Sequence, residues 1–320
     1  MIPIVHRSIE HKLTIPKEFI PSRLDQTVAD LLPQYSRALI QQWIKQGALL
    51  VDDKSAKASF KLVGGEKIFI KSVIEDATLA QAERIPIEVI FEDANLLVVN
   101  KPAGLVVHPG AGNLSGTLMN ALLNYDQNLK LVPRAGIIHR LDKNTSGLLI
   151  IARTIESHFK LVKDLESRSI KRIYSAVVYG SPPYRAGEVD LALGRHPKER
   201  KKVTVRVDGK SARTHYTVTE KFAGHSLLEC ELDTGRTHQI RVHLQSLGTP
   251  IVGDMEYGGQ YRRAKSDGQS LEEVLKGFPR QALHAKKLSL SHPKSERNLS
   301  FFAPIPRDFQ RLLEAIREDH

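Results

Sequence analysis

Residues 134–153 read RAGIIHRLDKNTSGLLIIAR. Two apolar runs, AGII and GLLIIA, flank a polar centre, HRLDKNTSG, which carries a histidine and three charges. Runs of this length suit buried strands. Two strands would set the turn between them, Asp142 included, at the rim of a core. Arg140 and Lys143 stand on either side of that acid, and an acid kept between two bases at a core edge is the chain's first candidate for chemistry.

The texture of GLLIIAR recurs throughout the second part of the chain. From Ile85 onward, short β-like runs follow one another: IEVIFE, LLVVNK, GLVVHP, RIYSAVVYG, EVDLAL, VTVRV, HYTVTEKF, SLLECELD, KKLSLSHP and LSFFAP. Helical patterns are interspersed rather than alternating with them. TIESHFKLVKDLESR sets Ile155, Phe159, Val162 and Leu165 on one helical face. THQIRVHLQSLG starts on a threonine cap, Thr237, and stops at Gly248. Its Ile240, Leu244 and Leu247 face the core, with Arg241 one residue off that stripe at the edge of a cleft. PRDFQRLLEAIRE closes the chain. Many strands with scattered helices predict an α+β fold on a large mixed or antiparallel sheet flanked by helices, not a doubly wound parallel sheet.

Ahead of this part, residues 22–75 read as a small separate unit, preceded by an extension over 1–21. SRLDQTVADLL predicts a helix with Leu24, Val28 and Leu31 on one face, ended by Pro33. Ser36 is the expected N-cap of RALIQQWIKQ and Gly47 its stop. Leu39, Ile40, Trp43 and Ile44 form the apolar stripe of that second helix, leaving Arg37, Gln41, Lys45 and Gln46 outward. Strand-like ALLVDD and EKIFIKS follow, the latter entered through Gly64-Gly65. Residues 76–85 are the expected linker, and 86–320 the larger domain.

Composition narrows the partners. A formal net charge of +11 over 320 residues points to a polyanion, nucleic acid before an anionic membrane. The single cysteine, Cys230 in LLECEL, excludes an internal disulfide framework and a cysteine-based zinc site. Its apolar neighbours make it a core residue. No window reaches the ~18 apolar residues of a membrane span, and no signal peptide is visible. The expected compartment is the cytoplasm, and no membrane partner is expected.

Several catalytic signatures fail by a residue or more. GKS in VDGKSA lacks the glycine of a P-loop, because position 204 is Thr204. GAGNLSG has one residue too many for a dinucleotide loop. HRLDKN is not a kinase H-R-D, and no D-F-G accompanies it. There is no H-E-x-x-H, and His238 and His243 lie five apart. Neither a metal nor a nucleotide cofactor is expected.

Three segments join polar residues to strand or helix edges: the stretch around Asp142, KRIYSAVVYG with Lys171 and Arg172 ahead of Tyr174, and ELDTGRTHQIRVHLQ. In order, and preceded by N-K-P-x-G-L-x-V-H-P at 100–109, they resemble the RluA/RluD family of pseudouridine synthases. The 22–75 unit, with R-x-D, SR-x-x-x-Q-x-W-I-x-x-G and G-G-E-x-I-x-I, resembles the S4 RNA-binding domain. Together the resemblances cover about residues 22 to 315. R-A-G-I-I-H-R-L-D and Q-A-L-H-A are most similar to members acting on large-subunit ribosomal RNA.

The resemblance implies a pseudouridine synthase fold and uridine isomerisation in large-subunit ribosomal RNA, free or in an assembling subunit; a monomer is expected by default. It implies that Asp142 is the catalytic carboxylate, that Tyr174 packs against the target base and that Arg241 pairs with the aspartate. By the same resemblance Arg140 fills the helix space left by the extruded nucleotide or contacts its phosphate, and RNA contacts are further expected at His139 and Arg236, and at Arg37 and Lys45 on the S4-like helix. Residues 195–216 add Lys201 and Lys202 within a run of eight Lys/Arg against Glu199 and Asp208, expected as a hairpin gripping phosphates.

The chemistry suits these residue types. Breaking the N1–C1′ bond and rejoining the base through C5 retains every substrate atom, so no hydride or phosphate is exchanged. One carboxylate can serve as nucleophile or base. Burial disfavours a charged carboxylate and a nearby guanidinium favours it. A stacked uridine must also leave its helix to be reached, and an aromatic face can then hold it. Two other readings compete. A binding-only S4 protein has no need of an acid among phosphates, and a glycoside or nucleoside hydrolase needs a second carboxylate, which the motifs lack. A synthase acting on transfer RNA is the alternative within the family.

Overall fold

The computed structural model describes residues 6–16, 21–32, 35, 37–75, 81–110, 113–199, 202–258 and 268–319. Pro33, Ser36, Lys201 and residues 261–267 lie outside them, as do residues 76–80 of the expected linker. The chain divides into two compact units, Met1–Ala80 and Gln81–His320. No helix among the described residues is long and apolar enough to cross a membrane.

The first unit begins with β1 (His6–Thr14), β2 (Ser22–Arg23), α1 (Leu24–Leu31) and α2 (Arg37–Gln46). It continues through β3 (Leu49–Val51), β4 (Lys54–Ser55), β5 (Lys61–Leu62) and β6 (Lys67–Glu75). The sheet order is β1-β6-β3-β4, with β2 and β5 paired separately. Strand β1 falls in the expected extension yet pairs along its whole length with β6, so it belongs to this unit's sheet. Leu24, Val28, Ile40, Trp43 and Ile44 are buried against the sheet as their spacing predicted. Leu31 is not: it is 41% exposed, and Leu32 takes the core position. From Val28 the core is met four residues on rather than three.

Polar packing completes the unit. Asp25 has no exposed surface. Arg23 Nε and Arg37 Nε donate to it at 3.0 and 2.9 Å, and Gln41 Nε2 at 2.6 Å. Burial alone would raise its pKa, but these donors outweigh it and hold the carboxyl well below its ordinary range.

The second unit carries β7 (Glu88–Glu92), β8 (Leu96–Lys101), α3 (Leu118–Tyr125), β9 (Ser146–Ala152), α4 (Ile155–Glu166) and β10 (Lys171–Tyr179). Then come β11 (Ala186–Asp190), β12 (Leu193–Arg195), β13 (Val203–Val205), β14 (Arg213–Lys221), β15 (His225–Leu232) and α5 (Gln239–Ser246). The last elements are α6 (Gln269–Gly277), β16 (Leu283–Ser291), β17 (Asn298–Phe302) and α7 (Arg307–Glu318). One mixed sheet organises them in the order β11-β14-β15-β10-β16-β9-β8-β7, with β17 on β16, and β12 and β13 form a separate hairpin. The expected α+β architecture is therefore present. Cys230 is fully buried in β15.

Within the sheet path the pairings are antiparallel except β16 with β9, which meet at His284 and Ser146 and at Ala285 and Gly147. All seven residues of β9 are buried, which is why its sequence is a continuous apolar run. Gly147 has φ +116, and a Cβ there would lie 2.3 Å from Ala285 O, so only glycine lets these strands meet.

Four expectations of local structure are corrected. AGII is not a strand. Pro133–Gly136 forms a 3-10 turn in which Arg134 and Ala135 are left-handed, and only Ile137 bridges Ile151 of β9. GLVVHP is irregular too, touching Thr117 through one bridge at Val106. Helix α4 forms over the expected residues but packs through Ser157, Leu161 and Asp164, leaving Ile155 and Phe159 about two-fifths exposed. Helix α5 is capped by left-handed His238, not by Thr237.

Candidate active site

The turn bearing Asp142 is staked from several directions. Thr145 N donates to Asp142 O at 3.1 Å, closing the turn, and buried Leu141 roots it in the core. Gln281 Nε2 donates to Thr145 Oγ1 at 3.1 Å, and Arg280 Nη1 to Asn144 O at 3.2 Å. Arg280 is itself clamped by both oxygens of Asp308. From the other side comes Lys101, 1% exposed, whose Nζ donates to Pro102 O, Leu105 O and Lys143 O within 3.0 Å. Burial pulls the Lys101 pKa down to about 7, with Asp142 opposing and Arg280 adding to that pull. Its three carbonyl acceptors favour the charged form.

Asp142 opens into a cavity of about 880 Å³ that also exposes Tyr174 and Arg241, large enough to admit a nucleotide. The motifs bring the three expected catalytic residues to one place. Arg241 Nη1 donates to Asp142 Oδ2 at 3.1 Å, across 99 residues of chain. Its Nε and Nη2 are gripped by Asp254 at 2.7 and 2.8 Å, and Nη2 also reaches Glu256 at 2.9 Å. The guanidinium carbon lies 4.8 Å from the ring centre of Tyr257. Burial works against the charge, but the Asp254, Asp142 and Glu256 carboxylates outweigh it and raise the Arg241 pKa. The arginine expected at the cleft edge is thus 6% exposed and fixed at every nitrogen.

Tyr174 is 5% exposed. Burial raises its pKa, with Arg172 opposing and Asp142 adding, so its phenol stays protonated near neutrality.

His238 lies between two acids, Nε2 at 3.8 Å from Asp142 and Nδ1 at 3.7 Å from Glu256. Tyr257 Oη accepts from Val203 N at 2.9 Å and shares a hydrogen bond with His238 Nδ1, 2.7 Å away.

The expected RNA contacts separate. Arg140 is exposed at the cavity, with no ion-pair partner among the described residues. Arg236 is exposed, with Nε donating to Ser211 O at 3.1 Å. His139 turns inward instead: its Nε2 accepts from Ile150 N at 3.1 Å, and burial drives its pKa down to about 3. A neutral histidine holding β9 makes no phosphate contact through that nitrogen, so the sequence expectation for His139 does not fit its placement. Arg37 spends its guanidinium on Asp25, whereas Lys45 is exposed on the same helix. In the β12–β13 hairpin Lys202 pairs with Glu199, Arg206 with Asp208, and Arg213 on neighbouring β14 with Asp190.

Sequence reading missed Lys101, Arg280, Asp254, Glu256 and Tyr257. Lys101 stood in the N-K-P motif and the last three in G-D-M-E-Y, whose two acids beside a tyrosine were the available signal.

Comparison with known proteins identifies the family. The family model described as RNA pseudouridylate synthase matches residues 95–246, and the S4 domain model matches 22–68. Relatives named Ribosomal large subunit pseudouridine synthase D align over nearly the whole chain. The one from Xanthomonas campestris pv. campestris is 48% identical over 95% of this chain and 92% of its own length. That from Nitrosomonas europaea is 50% identical over 96% and 88%, and that from Pseudomonas aeruginosa 44% over 97% of each. Among solved structures, human RNA Pseudouridylate Synthase Domain Containing 4 superposes with a TM-score of 0.57 at 26% identity, over 72% of this chain and 93% of that one. Motif order, site geometry and relatedness converge, and the chain belongs to the RNA pseudouridine synthase family, as an isomerase with an S4 domain ahead of its synthase domain.

Proposed function

We propose that the protein isomerises uridine to pseudouridine in large-subunit ribosomal RNA, with Asp142 as the catalytic carboxylate acting on a uridine flipped into the cavity. The observation that carries this reading is the Asp142–Arg241 pair at 3.1 Å, with Tyr174 lining the same cavity, which is large enough to admit a nucleotide. The choice of RNA rests on the names of the relatives, which align from end to end.

Asp142 has one oxygen engaged by Arg241 and a carboxylate face open to the cavity. It acts as nucleophile toward C1′ or C6, or as base toward the 2′ proton, on the way to breaking the C1′–N1 bond. Tyr174 offers a ring face on which the detached base can turn. Arg140 and Arg236 at the rim hold flanking phosphates, while Lys45 in the S4 unit and Lys201 and Lys202 in the basic run 195–216 hold phosphates elsewhere on the RNA. His139 stays neutral and holds the turn.

Release of tritium from C5-labelled uridine in large-subunit ribosomal RNA tests the proposal. Wild type releases it and Asp142→Asn does not. Release by both, or by neither, would defeat the assignment.

A further inference from the structure

Arg172 and Tyr174 are two residues apart on β10, so both point to the same face of the sheet, and both line the cavity. Three arginines of the second unit are buried to about the same depth: Arg172 and Arg280 at 5% exposure and Arg241 at 6%. Arg241 is gripped by Asp254 and Arg280 by Asp308. Arg172 is different. No carboxylate pairs with it among the described residues. Its Nη2 lies 3.4 Å from Leu232 O, a long contact, and its Nε is buried without a partner.

A buried cation so poorly matched is costly to keep. The surrounding chain nevertheless makes room for it. A Cβ at Gly235 would stand 2.8 Å from Arg172 Nη1, so the absent side chain lets the guanidinium lie against the loop that follows β15. Its field is felt next door, where it opposes burial at Tyr174 and adds to burial at His139.

We propose that Arg172 is a further catalytic residue, one that stabilises the negative charge developing on a carbonyl oxygen of the uracil ring held by Tyr174. The inference rests on the reading of the chain as a uridine isomerase acting through Asp142. When the C1′–N1 bond breaks, its electron pair stays on N1 and spreads to O2 and O4. Attack at C6 would instead place the charge on O4. Either route puts negative charge on a carbonyl oxygen of the base until C5 bonds to C1′. The C5 proton then leaves, N1 takes up a proton and the ring is neutral again. A buried, fixed guanidinium meets that charge without reorganising, as donors of oxyanion sites do.

Single-turnover tritium release from C5-labelled large-subunit ribosomal RNA, at saturating enzyme, is compared with the affinity for the same RNA. Arg172→Gln is expected to slow release about 100-fold while changing the dissociation constant less than about threefold, with Arg172→Lys recovering part of the rate. Weakened affinity with a shallower salt dependence and an unchanged saturating rate would identify a phosphate contact and overturn the proposal. So would unchanged rate and affinity. Should Arg172→Gln not fold, Gly235→Ala decides, since its methyl group displaces Nη1. A slowed saturating rate at unchanged affinity upholds the proposal, and a normal rate rejects it. No release by wild type removes both readings, whereas normal release by wild type and Arg172→Gln removes this one alone.

Discussion

The tripeptide Arg-Leu-Asp occurs at residues 23–25 and again at 140–142. Both leucines are buried, Leu24 completely and Leu141 to 4%. There the likeness ends. Arg23 turns back onto Asp25, and Arg37 and Gln41 converge on the same carboxylate, which is sealed from solvent. Arg140 stays exposed, and Asp142 takes its cation from Arg241 while keeping a face on the cavity. A carboxylate saturated with donors is a clip between two helices. One with a single firm donor still has lone pairs for a substrate. Position in the fold, not local sequence, decides which.

The sharpest test exchanges each acid for its amide. Asp142→Asn is expected to lower turnover by at least ~10³-fold with little change in denaturant unfolding. Asp25→Asn is expected to keep turnover in the folded protein and to cost about 2–3 kcal/mol of stability, because Arg37 and Arg23 lose their buried partner while remaining half in water. A folded Asp25→Asn variant that cannot turn over breaks the comparison.

Next in size is Arg241→Lys. A lysine cannot satisfy Asp254, Asp142 and Glu256 together. Turnover is expected to fall about 100-fold, and the melting temperature to fall with it. Arg37→Lys, at the equivalent place beside Asp25, is expected to leave turnover unchanged. Equal activity loss in the two would show that the clip and the site are not separate devices.

Acid sharpens the contrast further. The Asp25 pKa is depressed in the folded state, so its contribution to stability is full above the unfolded value of about 4. It is lost as pH falls through the folded value. Unfolding of wild type and Asp25→Asn, well separated at pH 7, is expected to converge as pH drops below about 4. A gap that persists in acid would mean that packing, not charge, holds the two helices.

The smallest effect is expected on the hairpin. Reversing Lys202 and Arg206 to glutamate should weaken RNA binding a few-fold and reduce the salt slope by about 1 to 2. An unchanged slope assigns those charges to their neighbours alone.

The sequence made the site's membership legible because Asp142, Tyr174 and Arg241 each sit in a motif whose polar residues break an apolar pattern. It hid the supports. Lys101 looks like a strand end, and nothing local tells that its ammonium will meet three carbonyls from two loops. Asp254 and Glu256 read as surface acids because their partner is contributed by another element. The apolar pattern misled wherever two phases were nearly equal, at Leu31 against Leu32 and on α4, where the packed face carries Ser157 and Asp164. AGII is as apolar as a strand, but a proline and two left-handed residues before Gly136 turn it aside.

The 99 residues between Asp142 and Arg241 also set a clock. At roughly 5–20 residues per second of synthesis, the acid leaves the ribosome about 5–20 s before its counter-ion, and β16, which joins the two halves of the sheet, follows later still. A nascent chain can already hold a complete S4 unit while it has no means of rearranging a base. Competence therefore comes late and all at once, when the last strands close around an aspartate that has waited for them.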